Sequence, residues 1–183
     1  MILFVNACVR ETSRTRRLAE ALLEKLEGDV TELKLEEVPF PAADEAFLKK
    51  RDLLIRQEAF DDPMFALARQ FAAAETVVIA APYWDLSFPA MLKQYVEQIN
   101  VTGITFRYTP MGFPESLCHA KQLYYVTTAG GCFLPEEFGF GYIKALAENF
   151  YGIHDVRLIQ ATGLDIDGAD PEAILKEAIH NIA

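Results

Sequence analysis

The stretch that decides the fold is "TVVIAAP", residues 76–82. From Val77 to Ala81 it contains no polar residue, and it stops at Pro82. A strand that is covered on both faces needs such a continuous apolar run, whereas a half-exposed strand alternates apolar and polar residues. The pattern therefore predicts the central strand of a parallel sheet.

Before and after this strand in the sequence, segments with the apolar spacing of a strand alternate with segments that have the apolar spacing of a helix. Strands are predicted at 2–6, 30–38, 122–131 and 156–163, and helices at 13–27, 63–74, 87–99, 136–150 and 171–182, with a weaker helical period inside 39–62. Such alternation favours parallel strands joined by right-handed crossovers. It predicts a flavodoxin-like α/β fold, a five-stranded parallel sheet of order 2-1-3-4-5 with helices on both faces. The strand at 30–38 alternates in polarity, which suits a sheet edge.

Length and composition limit the function classes. Residues 1–183 are expected to form a single domain. With 27 acidic against 17 basic residues, the surface is a poor partner for nucleic acid or for an anionic membrane. The N-terminus lacks a signal-peptide pattern, and no apolar run reaches membrane-spanning length. The odd set of cysteines, without a CxxC pair, disfavours disulfides and zinc and is typical of a cytoplasmic protein: Cys8, Cys118 and Cys132.

The segment "NACVRETSRTRRLAEAL", residues 6–22, joins the first strand to the first helix at the predicted switch point of the sheet. It holds four arginines in an acidic chain: Arg10, Arg14, Arg16 and Arg17. Cations at a helix N-terminus are unfavourable, but a bound phosphate would reverse the sign. Because Ser13 is followed at the third position by Arg16, not by Glu or Gln, no capping box forms and the N–H donors stay available. The alternative is a plain cap with solvated arginines.

Two further loops follow the neighbouring strands. "PYWDLSFP", residues 82–89, places Tyr83 and Trp84 after the central strand, and "TTAGG", residues 127–131, ends the next strand with two glycines that permit close approach. The aromatic rings can instead pack on the following helix or in a subunit contact, and the glycines can form an ordinary turn. Together the three loops are suited to a phosphate joined to a planar ring system, a mononucleotide such as FMN.

These segments carry a family resemblance. "SRTRRLA", "APYWDLSFPAMLKQYVEQI", "GITFRYT", "TTAGG" and "YGIHDV" resemble the flavodoxin-like NAD(P)H-dependent oxidoreductases, most closely the FMN-dependent NADH:quinone oxidoreductases and azoreductases. The resemblance implies an FMN enzyme that reduces quinones, azo compounds or other small aromatic acceptors by ping-pong hydride transfer from NAD(P)H. It implies a homodimer with the site at the subunit interface. No catalytic side chain and no metal are expected, because flavin N5 carries the chemistry.

Carried over onto this chain, the resemblance implies a cofactor site made of Arg10, Ser13, Arg14, Thr15, Pro82, Tyr83, Trp84, Asp85, Leu86, Thr128, Ala129, Gly130 and Gly131. It implies substrate contacts at Phe106, Tyr108 and Phe133. Family members often have Asn where Asp85 stands, and a carboxylate beside the flavin would oppose an anionic reduced ring unless it points away. Cys8 is interpreted as a small core residue and not as a reactive thiol.

Two alternatives stay open at this point. A flavodoxin-like FMN electron carrier, which passes single electrons to protein partners, suits the acidic composition. The second alternative is a family member that has lost its flavin site and acts only as an interaction module. The glycine- and proline-rich excursion at 103–118, with its apolar surroundings, suits a dimeric enzyme better than a carrier.

Overall fold

In a computed structural model that describes residues 1–182, a single parallel sheet organises the chain. The strands of that part are β1 (Ile2–Asn6), β2 (Val30–Lys34), β3 (Thr76–Ala80), β4 (Phe106–Tyr108), β5 (Pro114–Ser116), β6 (Gln122–Thr128) and β7 (Asp155–Ala161). Its α-helices are α1 (Arg14–Leu23), α2 (Glu45–Arg56), α3 (Ala66–Ala73), α4 (Ala90–Ile99), α5 (Phe140–Asn149) and α6 (Pro171–His180).

The main sheet has the order β2-β1-β3-β6-β7, with every pair parallel. Counted without the small β4–β5 pair, this is the predicted order 2-1-3-4-5, which is confirmed, and β2 is the edge strand that its alternation predicted. The register aligns Asn6 with Ala80 and Ala80 with Val126. The carboxyl ends of β1, β3 and β6 therefore lie side by side.

The core explains why the stretch at 76–82 is apolar throughout. Val77 and Ile79 belong to a buried cluster shared with α3, α4 and α5, whereas Val78 and Ala80 belong to a second cluster shared with α1 and α6. Successive side chains of a strand point to opposite faces, so helices cover both sides of β3. The predicted apolar stripe of α4 is likewise buried, at Leu92, Tyr95, Val96 and Ile99.

Several predicted boundaries need correction; among them, the helix predicted at 13–27 ends at Leu23 and the strand predicted at 122–131 ends at Thr128. The strand predicted at 30–38 ends at Lys34, and a 3₁₀ turn at Leu35–Glu37 buries Leu35. The helices predicted at 63–74 and 136–150 each begin with a separate 3₁₀ turn, at Pro63–Phe65 and Glu136–Phe138. Such tight turns are common at helix starts and have no distinct hydrophobic period, so the sequence merges them with the helix.

The excursion after α4 contains a hairpin that sequence reasoning missed, because β4 and β5 are only three residues each and show no alternation. Its base is fixed by Thr105, whose buried Oγ1 donates to the carbonyl of Ile99 at 2.7 Å. Gly103 lies against the Phe60 ring with φ +94°. The hairpin is thereby held to the cluster around Phe65. Within residues 1–182, none of the helices has the length and apolarity to cross a membrane.

Candidate functional site

A cavity of about 350 Å³ opens at the carboxyl ends of β1, β3 and β6. This is the predicted switch point of the sheet. Ten of the thirteen residues predicted for the cofactor line it: Arg10, Ser13, Arg14, Thr15, Pro82, Tyr83, Trp84, Thr128, Ala129 and Gly130. The lining does not include Asp85, Leu86 or Gly131. The sequence analysis missed four lining residues: Val9, Thr12, Leu164 and Asp165.

The start of α1 is capped, which corrects one sequence-based expectation. Ser13 has extended backbone, and its Oγ accepts from the N–H of Arg16 at 3.2 Å. Serine satisfies this one donor without a glutamate three residues later, so the expectation that every donor of the first turn stays available is wrong for Arg16. The N–H groups of Arg14 and Thr15 have no acceptor within residues 1–182. Two backbone donors and the helix dipole thus remain at the cavity.

The arginines of this segment are mostly paired, which corrects the picture of four cations awaiting an anion. Arg14 contacts Asp165 at 2.8 Å. Arg16 contacts Glu20 at 2.8 Å, and Arg17 makes a two-pronged contact with Glu172 at 2.8 and 2.7 Å. Arg10 is exposed and lines the cavity, and in the described part of the chain it has no carboxylate within ion-pair distance.

The hydroxyl groups of Thr15 and Thr128 form a buried pair at the floor of the cavity. The Oγ1 atoms of Thr15 and Thr128 lie 2.6 Å apart, and both residues are buried. Two hydroxyls carry two hydrogens but share one hydrogen bond, so one O–H stays available to donate to a further acceptor. This contact ties the start of α1 to the end of β6 and fixes the floor of the cavity.

The loop after β3 is held by backbone hydrogen bonds. The N–H of Tyr83 donates to the carbonyl of Thr128 at 3.1 Å, and Trp84 and Ser87 exchange hydrogen bonds of 3.1 and 2.8 Å. Between them Asp85 and Leu86 have φ of +50° and +68°, as in a type I′ turn. Both turn residues are exposed, and neither lines the cavity. The carboxylate of Asp85 therefore does not line the cavity, and a contact of this residue with the ring stays a prediction.

A second, small cavity adjoins the first behind Tyr83, which lines both. Around it the hydroxyls of Tyr83, Tyr125 and Thr127 are buried and have no hydrogen-bond partner in the described part of the chain. Burial raises the pKa of both phenols above their ordinary value, so each stays an uncharged donor well into the alkaline range. Sequence analysis did not identify this cluster, because Tyr125 and Thr127 look like ordinary strand residues.

The glycines at 130–131 are predicted to permit close approach of another group, and at Gly130 that group is Asp165 of the same chain. A Cβ at Gly130 would meet the carboxylate of Asp165, with Cγ only 3.0 Å away. The N–H of Asp165 donates to the carbonyl of Gly130 at 3.0 Å. The space that glycine leaves is therefore filled by the loop after β7. The only sequence signal for Asp165 is its position just after the last predicted strand.

None of the three predicted substrate residues lines the cavity. Phe106 is buried and packs edge-on against Phe150, with ring centroids 4.7 Å apart, so its ring faces the interior of its own chain. Tyr108 and Phe133 are exposed, and contact from a second subunit stays a prediction for both. Cys8 is buried as predicted, and burial raises the pKa of its thiol to about 11.

A family model described as Flavodoxin-like fold matches residues 1–183. The chain is 34% identical to an FMN-dependent NADH:quinone oxidoreductase from Clostridium beijerinckii, over 95% of this chain and 90% of the relative. It is 34% identical to one from Lachnoclostridium phytofermentans, over 96% and 92%.

Solved structures share the fold. An azoreductase from Bacillus anthracis superposes with a TM-score of 0.85 at 24% identity, over 99% of this chain and 95% of the other. An FMN-dependent NADH-azoreductase from the same species, solved in complex with FMN, gives 0.82 at 23% identity, over 99% and 95%.

Proposed function

Because this chain belongs to the flavodoxin-like family and is similar along nearly all its length to FMN-dependent NADH:quinone oxidoreductases, we propose that it is an FMN-dependent oxidoreductase. It takes electrons from NADH, the donor for which the relatives are named. Its acceptors are quinones, azo compounds or related aromatic molecules. The observation that carries the proposal is the cavity at the switch point, with two open backbone donors and one unpaired arginine at its α1 end.

The donor set at α1 suits a phosphate monoester. Such a group carries between one and two negative charges at neutral pH and accepts several hydrogen bonds. The N–H groups of Arg14 and Thr15 supply two donors, the Thr15–Thr128 pair supplies a third, and Arg10 supplies a charged one. A helix N-terminus with open N–H groups is a favourable place for such an anion. The phosphate end of FMN is therefore assigned to this wall.

The remaining lining suits a flat ring. Pro82, Tyr83 and Trp84 form one wall, and the segment 128–130 forms another. The hydrogen bond from Tyr83 N–H to the Thr128 carbonyl joins the two walls, so their spacing is fixed by backbone. Bound FMN would supply the two-electron chemistry, and the chain would hold the ring, keep out water and orient the substrates. No nucleophilic side chain is required.

A homodimer is part of the proposal. The hairpin and the loop after β6 expose large apolar side chains, with exposed fractions of 82% at Met111, 65% at Phe113 and 78% at Phe133. Met111 and Phe113 lie two residues apart on one hairpin, and an exposed apolar patch is typical of an interaction surface. In the proposed dimer a second copy covers this surface, and Tyr108 is the residue of the hairpin expected to contact the partner's substrate. Sedimentation should then give twice the chain mass of 20.5 kDa, whereas a monomer at micromolar concentration would contradict the dimer.

The cytoplasm is proposed as its compartment, because all three cysteines are unpaired.

The experiment that tests the function is a steady-state assay of the FMN-loaded protein with NADH and either a quinone or an azo dye. Turnover with saturation in both substrates is expected, and protein freed of flavin serves as the control. FMN binding without turnover of any acceptor would favour the single-electron carrier. A protein that fails to take up FMN would remove the proposal altogether.

A further inference from the structure

A carboxylate of the chain lines the cavity, between Arg14 and Gly130. Asp165 lines the cavity, and its Oδ1 accepts from Nη1 of Arg14 at 2.8 Å. The same residue, Arg14, provides one of the two open backbone donors. A negative charge of the chain therefore lies in the cavity beside Gly130, paired with the guanidinium of the residue whose N–H group is assigned to the phosphate.

The backbone of Asp165 is fixed by hydrogen bonds to the neighbouring loop. Three successive N–H groups of the β7–α6 loop donate to the loop after β6, at 3.0, 3.2 and 3.0 Å: Gly163 to Gly131, Leu164 to Ala129 and Asp165 to Gly130. Glycine at 130 leaves the room that the carboxylate fills. These contacts fix the backbone of Asp165 at the edge of the cavity, and its carboxylate is turned toward Gly130 and Arg14.

We propose that Asp165 is an intramolecular competitor of the FMN phosphate, which weakens flavin binding and sets how readily the cofactor exchanges; the inference rests on the proposed function. The ion pair with Arg14 is partly exposed, and such pairs contribute little, so a phosphate can take over Arg14. The carboxylate then remains in the same cavity as the bound dianion. Across a cavity of about 350 Å³ their separation is comparable to the Debye length of about 8 Å at physiological salt, so the repulsion is incompletely screened.

The chain offers a matched control in Glu172. It pairs with Arg17, three residues after Arg14 on the same helix, and its side chain has the same exposed fraction as Asp165, 68%. Glu172 does not line the cavity. Asp165→Asn and Glu172→Gln thus each remove one negative charge from an exposed ion pair with an arginine of α1, inside and outside the cavity.

The test is a fluorescence titration of wild type and both variants with FMN and with riboflavin, which lacks the phosphate. Asp165→Asn should bind FMN about tenfold more tightly than wild type, and the gain should shrink at high salt. Riboflavin affinity should not change, and Glu172→Gln should match wild type for both ligands. Asp165→Ser should shift FMN in the same direction, which guards against an effect peculiar to asparagine.

Several outcomes would overturn the inference while leaving the proposed function intact. One is FMN affinity that is unchanged or lower in Asp165→Asn, which would mean that the carboxylate is neutral or contributes a contact. A second is an increase in riboflavin affinity in Asp165→Asn as large as the increase in FMN affinity. A third is an increase in FMN affinity in Glu172→Gln as large as that in Asp165→Asn. A wild-type protein that binds neither flavin is a different result, since it removes the proposed function and the inference with it.

Discussion

Replacing Arg10 by glutamate is expected to weaken FMN binding about 30-fold, or about 2 kcal/mol. Arg10 is the arginine of its segment that lines the cavity without a carboxylate partner in residues 1–182. The substitution removes a charged hydrogen bond to the phosphate and puts an anion in its place. Because the side chain is exposed, the fold should tolerate the change. The loss is measured by titration with FMN.

The control for this substitution is Arg56→Glu at the end of α2, which makes the same change in net charge on an exposed residue outside the cavity. Its FMN affinity should equal that of wild type. Riboflavin should bind Arg10→Glu as it binds wild type, because the contact is with phosphate. Equal losses of FMN affinity in the two variants would show that Arg10 acts only through net charge. That result would contradict the assignment of the phosphate to the α1 end of the cavity.

Gly103→Ala is expected to destabilise the fold by about 3 kcal/mol. Gly103 has φ +94°, a conformation that alanine rarely adopts, and its new Cβ would overlap the Phe60 ring, with Cε1 at 3.0 Å and Cε2 at 3.2 Å. Phe60 packs on the buried cluster of Phe65, so the ring has little room to move. The loss is measured as the shift in the urea unfolding curve of flavin-free protein at fixed concentration.

Gly112→Ala separates the two causes. Gly112 also has a positive φ, +82°, but nothing lies within 4 Å of its Cβ position. It should cost about 1 kcal/mol through backbone strain alone. If both variants lose the same amount, the contact with Phe60 contributes nothing, and the hairpin base is looser than the structure indicates.

Much of the fold could be predicted from local pattern. The apolar run at 76–82 identifies β3 because burial on both faces leaves no place for a polar residue. From five strands and their helices, the topology rules then give the order and the switch point. The hairpin at 106–116 could not be predicted, because three-residue strands have too few positions to show a period.

The candidate site was predicted less completely, for physical reasons. The pairs Arg14–Asp165 and Arg17–Glu172 join residues 151 and 155 positions apart, so nothing in the arginine-rich segment reveals that its charges are already matched. Leu86 has a positive φ, a conformation that leucine rarely adopts. The sequence therefore gives no sign of the turn at Asp85–Leu86, which keeps Asp85 out of the cavity lining. Ser13 caps α1 without the motif used to recognise a capping box.

The measurement that tests the central claim most directly is a crystal structure of the protein with FMN bound. The expected result places the phosphate within hydrogen-bond distance of the N–H groups of Arg14 and Thr15, with the ring against the 82–84 wall. A phosphate bound elsewhere, with these two donors facing solvent, would contradict the assignment on which the proposed function and the role of Asp165 depend.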